Sequence, residues 1–295
     1  MVLGEAAALG TATCWAMGTI LFTRAARRIG AFTLNLTRIT LALCILSVIL
    51  LLTRGVDWAP GSGFRNILFL ALSGIVGLTL GDWAYFKSFL YIGPRLTTLF
   101  MTLAPVFSAI IALPLLGEHL GFIALLGMGL TLSGVVSVVL ERSNAGVPKG
   151  HRIRGTALAI LGSLGQAVGL NLSKLGMGNV VDPLPATALR MAAGAIGIWI
   201  IALASRRMGG VPRLVRDPVA RWATLGATLL GPVTGIWLSL VAVRHTKTGI
   251  AATLMAITPI LILPLLVAME KERVSGRTIV GTLVSVVGVA LLFLR

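Results

Sequence analysis

The sequence predicts an all-α integral membrane protein whose ten transmembrane helices form two inverted five-helix repeats, and three observations predict it. The first is an internal duplication. Residues 77–140 and 231–294 align without a gap at a constant offset, pairing Gly77 with Gly231, Gly81 with Gly235, Trp83 with Trp237, Pro105 with Pro259 and Gly134 with Gly288. Further upstream, a slightly different offset pairs Gly10 with Gly162 and Arg38 with Arg190. The second is composition: 57% of the residues are hydrophobic and 12% are charged, against roughly 25% charged in a soluble domain. The third is a series of apolar stretches close to the roughly 20 residues that a helix needs to cross a bilayer. They lie at 3–23, 31–52, 65–91, 94–116, 121–140, 153–174, 185–205, 221–243, 246–269 and 276–294. Barrel strands would be about half as long and would alternate in polarity.

The organisation follows from these spans. Residues 1–140 form the first repeat, 141–152 a polar connector (ERSNAGVPKGHR) and 153–295 the second repeat. The first span follows the initiator Met with no basic segment and is needed to complete its repeat, so it is expected to stay in the mature protein rather than act as a signal peptide. Because five is odd, the second repeat must enter the membrane opposite to the first. An inverted pair related by an axis in the membrane plane is the arrangement that lets one site face either side in turn.

The net charge of +16 would suggest a nucleic-acid partner in a soluble chain, but here it describes topology. Loops after odd-numbered spans carry sixteen Lys and Arg, among them Arg24, Arg27, Arg28, Arg206, Arg213, Arg216 and Arg221, whereas the other side carries six. The positive-inside rule then places the odd loops in the cytoplasm and both termini outside. Cys14 and Cys44 fall within spans and read as small packing residues.

Within the spans the few polar and charged side chains carry the functional signal, because a lone charge at the bilayer centre costs roughly 3 kcal/mol on insertion scales. Asp82 lies deep in the third span, and Lys87, five residues on, points about 140° away around the helix. Arg38 on the second span is therefore the expected partner of Asp82. The pair can be a static packing bridge or a coupling site. Asp82 has Ile236 at its equivalent position, which breaks the internal symmetry, whereas Arg38 and Arg190 occur in both copies and fit an architectural role or anion binding. Thr98, Thr102 and Pro105 form one polar stripe on the fourth span, and Pro105 and Pro259 mark bends at matched depth in the two repeats. Trp15, Trp83 and Trp237 can supply flat apolar walls, and Gln166 and Asn171 neutral hydrogen-bonding groups suited to a zwitterion or a neutral metabolite. Gly127, Thr131 and Gly134 match Gly281, Ser285 and Gly288, a small-residue face read as the scaffold seam between repeats. Glu118 and Glu272 end the fourth and ninth spans.

The run at 81–118 (GDWAYFKSFLYIGPRLTTLFMTLAPVFSAIIALPLLGE) resembles the third and fourth helices of the EamA-like branch of the drug/metabolite transporter superfamily. CWAMG at 14–18 is similar to that family's first-helix Trp-Gly pattern. Arg38 with Arg190, and the pairs Pro105 with Glu118 and Pro259 with Glu272, extend the resemblance over the whole chain. The resemblance implies a ten-helix exporter of small metabolites or amino acids, driven by a proton or ion gradient, with no cofactor. It also implies cytoplasmic termini, opposite to the charge count. The second repeat lacks the first-helix Trp, having Gln166 to Gly169 there.

The sequence thus points to a secondary transporter of the cell inner membrane, working as a monomer in the lipid bilayer on a small-molecule substrate, with no nucleic-acid partner. Two other readings stay open. One is a flippase of a lipid-linked substrate, or its accessory subunit; the other is a non-transporting membrane receptor or assembly factor. No enzyme is expected, since His119, His151 and His245 are scattered and neither a phosphate loop nor a nucleophile elbow occurs.

Overall fold

The computed structural model describes residues 2–55, 61–116, 121–141, 149–206, 210–245, 251, 254–270 and 274–293, and among these it is helical, with no strand. Among the described residues, six helices are long and apolar enough to cross a membrane, and three shorter apolar helices accompany them. In chain order the first repeat contributes α1 (Val2–Ile29), α2 (Ala31–Arg54), α3 (Phe64–Ser73), α4 (Asp82–Phe100), α5 (Leu103–Leu116) and α6 (Phe122–Glu141). The second contributes α7 (Lys149–Met177), α8 (Pro183–Ala204), the short α9 (Val211–Arg216), α10 (Pro218–Thr228), α11 (Ile236–His245), α12 (Thr258–Glu270) and α13 (Gly276–Phe293). Two π-helical segments, π1 (Gly74–Gly81) and π2 (Leu229–Gly235), join α3 to α4 and α10 to α11.

The boundaries have local causes. Gly30, with φ 83°, turns the chain between α1 and α2. The apolar stretch Phe64–Phe100 spans 37 residues, about 55 Å at the helical rise, too long for one crossing of a core about 30 Å thick. Gly93 resolves this: its φ of 75° breaks the helix and Pro94 restarts it. That break coincides with the boundary expected between the third and fourth spans. Helix then enters the polar connector from both sides, since α6 ends at Glu141 and α7 begins at Lys149; residues 142–148, Glu118 and Glu272 lie outside the described residues.

Across the two repeats, contacts come in exchanged pairs. α1 packs along α10, π2 and α11, while its counterpart α7 packs along α3, π1 and α4; α1 also touches α12 as α7 touches α5. The self-equivalent pairs α2 with α8 and α6 with α13 lie against each other. The α6–α13 seam is built as its small residues predict. A Cβ on Gly134 would sit 2.5 Å from the Gly281 carbonyl oxygen, and one on Gly288 would sit 2.7 Å from that of Gly127. Thr131 and Ser285 reach across to each other's backbone carbonyls at 3.4 and 3.3 Å.

Polar contacts tie helix ends in two separate groups. Arg28 at the end of α1 pairs with Asp217 before α10 at 2.7 Å, and the Tyr91 and His151 rings meet edge to face at 5.4 Å. Asp182, the residue before α8, holds Arg54 at 2.6 Å and Arg244 at 2.9 Å, and Asn66 donates to the Gly176 carbonyl at 2.8 Å.

Candidate functional site

Each π segment widens a helix where its neighbour crosses closest. In both, the residue after the segment donates to the carbonyl five residues back, Asp82 N–H to Gly77 and Ile236 N–H to Gly231, at equivalent positions of the two repeats. Such turns recur at functional sites because they re-aim the following side chain. After π1 that side chain is Asp82.

Asp82 is 6% exposed and faces Arg38, which is 2% exposed. One carboxylate oxygen takes the Arg38 guanidinium and the other takes the Gln166 side-chain amide from α7. Arg38 is held from behind: its Nε donates to Asn35 Oδ1 at 3.0 Å, and Asn35 Nδ2 donates in turn to the Leu78 and Thr79 carbonyls of π1 at 2.9 and 3.2 Å. The guanidinium also lies over two aromatic faces, 4.7 Å from the Phe86 ring centre and 5.5 Å from that of Phe22. Both carboxylate oxygens and two of the three guanidinium nitrogens are thus hydrogen-bonded, and such bonds are what repay the desolvation of a buried ion pair.

Arg190 joins from α8. Its backbone crosses π1 where a Cβ on Gly74 would sit 2.2 Å from the Arg190 carbonyl oxygen. Its Nη2 lies one turn on, 3.6 Å from where a Gly77 Cβ would be. Asp82 acts on it electrostatically. The Arg190 Nε, however, is buried without a hydrogen-bond partner. Beside the cluster, the Tyr85 ring packs against those of Phe86 and Phe89, with centres 5.7 and 4.6 Å apart.

The structure therefore brings Arg38, Asp82, Gln166 and Arg190 together and distributes the other expected residues around them. Asp82 and Lys87 do not pair; Lys87 Nζ lies 4.8 Å over the Trp83 ring, and Trp83 and Lys87 line an open pocket of about 350 Å³ at the α1–α2 corner with Gly30, Thr33 and Gly210. Trp15 lies on Gly235, and Trp237 is 37% exposed. Asn171 Nδ2 donates to Ser108 Oγ at 2.8 Å, linking α7 to α5. Thr98 and Thr102 turn their hydroxyls onto the Pro94 and Leu99 carbonyls, each at 2.7 Å.

The polar stripe on the fourth span needs one correction. Met101 and Thr102 form a turn between α4 and α5, so Pro105 is the third residue of a new helix rather than a kink within a continuous one. Pro259 likewise stands second in α12, after a turn at 256–257. In a first helical turn the missing N–H has no intrahelical partner to lose. The prolines thus mark where matched helices restart, and at each restart a hydroxyl bonds back into the preceding turn, Thr102 to the Leu99 carbonyl and Thr258 to that of Met255, each at 2.7 Å.

Sequence reasoning passed over Asn35, Phe22, Phe86 and Tyr85. Asn35 carried a legible signal, a neutral polar residue one turn before Arg38 on an apolar helix. The aromatic residues carried none, because Phe is an ordinary residue on any buried face.

The profile of the EamA-like transporter family matches residues 2–140 and 153–294. The chain belongs to the EamA-like transporter family. Among solved structures, one described only as "Crystal structure of protein" superimposes with a TM-score of 0.63 over 96% of this chain and 95% of its own, at 19% identity, which shows a shared fold. No curated protein matches the chain. Membership in the EamA-like family makes this a multi-pass membrane transporter by family, in contact with lipid along its apolar helices.

Proposed function

We propose that this EamA-like protein is a secondary active exporter of small metabolites or amino acids, alternating access around the Arg38–Asp82–Gln166–Arg190 cluster between two inverted five-helix repeats. The exchanged packing carries this reading. Where α1 runs along π2 as α7 runs along π1, one repeat can adopt the conformation of the other while the helix pairs keep their partners. Asp82, present in one repeat only, is the coupling residue, and Arg38 and Gln166 hold it in place. The grouped helix-end contacts support ten crossings. Arg28, Asp217, Tyr91 and His151 belong to loops that a ten-span chain puts on one side, and Arg54, Asp182, Arg244, Asn66 and Gly176 to loops on the other.

Purified protein in liposomes with an imposed proton or sodium gradient should move amino acids or small metabolites from a mixed labelled pool; a failure to move any solute under either gradient overturns the exporter reading. Reporter fusions test the topology. Arg295 and the connector at Asn144 are expected on opposite sides, with the 206–221 loop in the cytoplasm; a shared side for Arg295 and Asn144 overturns the ten-span arrangement, and a cytoplasmic Arg295 reverses its orientation.

A further inference from the structure

The buried cluster has more cations than anions. Arg38, Arg95 and Arg190 are buried among the described residues, and Asp82 is the buried carboxylate. Arg95 follows the Gly93 turn at the end of a pass, so the central balance is two guanidinium groups against one carboxylate. Both oxygens of that carboxylate are committed, one to Arg38 and one to Gln166. What remains for Arg190 is a through-space attraction, and its Nε is left without an acceptor although the side chain is 3% exposed. A guanidinium stays protonated at any physiological pH. One left without an ionic partner at membrane depth is costly, and such residues mark substrate or ion sites.

The surroundings are short of acceptors. The Gln166 Nε2 donates to Asp82 and also reaches the Gly77 carbonyl at 3.4 Å, the same residue that faces Arg190 Nη2. Donors from α2, α7 and α8 therefore converge on π1, and glycines at 77, 165 and 169 leave only backbone between them. An excess of planar, bidentate donors over acceptors defines the missing component: a compact anion with two oxygens in one plane.

We propose that Arg190 is the subsite for a carboxylate group on the transported solute. This rests on the exporter reading and narrows its substrate class to carboxylate-bearing metabolites, amino acids included. In this arrangement Asp82 neutralises Arg38, the solute carboxylate neutralises Arg190, and the centre is electrically balanced only when loaded.

The test is binding of matched pairs to purified full-length protein, read by thermal shift and by tryptophan fluorescence: phenylacetate against phenylacetamide, L-leucine against L-leucinamide, and chloride against sulfate at equal ionic strength. The carboxylate member of at least one pair is expected to bind about tenfold or more tightly than its amide. Arg190→Gln should abolish that preference and Arg190→Lys should keep part of it, because charge survives while the two-point contact is lost. Should Arg190→Gln fail to fold, Asp82→Asn serves in its place: removing the competing negative charge should tighten carboxylate binding several-fold in the folded fraction. Equal binding of acid and amide, an unchanged preference in Arg190→Gln, weaker binding in Asp82→Asn, or a response to chloride alone each overturns the assignment. The two readings separate in liposomes. Flux of neutral or cationic solutes without carboxylate binding leaves the exporter and removes the subsite, whereas carboxylate binding without flux of any solute does the reverse.

Discussion

The two π segments occupy equivalent positions and meet equivalent helices, yet they are packed by opposite means. At π1, α7 lies glycine on glycine: a Cβ on Gly165 would sit 2.7 Å from the Gly81 Cα, and one on Gly169 would sit 3.0 Å from the Gly77 Cα. At π2, α1 lays aromatic side chains over the glycines, Phe22 against Gly231 and Trp15 against Gly235. The first crossing brings backbones together and leaves polar groups to fill the site; the second fills the same space with rings. Asp82 follows the first and Ile236 the second. One duplicated scaffold has thus been given a polar half and an apolar half, and the asymmetry shows in what lies against the glycines at the two crossings.

Removing the charge at π1 should have the largest effect. Asp82→Asn leaves Arg38 buried without its counter-ion, and loss of one partner of a buried pair costs about 3–5 kcal/mol. Transport should be lost, while the equivalent Ile236→Val costs about 0.5–1.5 kcal/mol and transports normally. Both are read by denaturation and by liposome flux; an Asp82→Asn protein with normal flux and pH dependence would reduce the cluster to a packing device. The crossings themselves come next. Gly165→Ala drives a methyl into the Gly81 backbone, which cannot swing aside, and should cost about 3 kcal/mol, whereas Gly231→Ala meets only the tip of the Phe22 side chain, 2.6 Å away, and should cost about 1 kcal/mol. Equal costs would mean that ring and backbone resist alike.

Pro105→Ala and Pro259→Ala probe whether the matched helix restarts act alike despite the unlike crossings. Each stands in a first helical turn, so stability should change by less than about 1 kcal/mol, with the balance between inward-open and outward-open states shifting more than affinity. Cysteine accessibility from the two sides, on a background lacking Cys14 and Cys44, reports the shift; unchanged accessibility with normal transport makes the prolines packing features. The smallest effect is expected at the α1–α10 corner. There the hydrogen bond from Arg28 and the Ala220 backbone N–H hold the Asp217 carboxyl below its usual range. Its contribution is present above the ordinary carboxylate pKa and fades as pH falls through the depressed one. Asp217→Asn should therefore slightly lower thermal stability at neutral pH and flatten its acid dependence, a change that melting curves between neutral and strongly acidic pH would detect.

Reading the sequence went furthest where chemistry is periodic or costly. The duplication, the apolar stretches and the small-residue face at Gly134 and Gly288 were legible because helix length and close packing impose spacings that survive in one dimension. Arg38 with Asp82 was legible because a buried charge demands a partner and few were on offer. The π turns were not legible: their bonds differ from α-helical ones by one residue of register, and no residue type requires that. Nor was the division of labour between Trp83 and Asp82, neighbours in sequence that face a surface pocket and the buried cluster respectively.

That this chain fills a membrane with a doubled helical unit and carries a few charges inside it follows from its residues in order, since hydrophobicity, length and repetition are linear properties. Which groups share the centre depends on how the helices cross. Gln166 reaches Asp82, and Arg190 arrives with its Nε unmet, because three helices from two repeats cross at glycines, and a crossing is set by the shape of both surfaces at once.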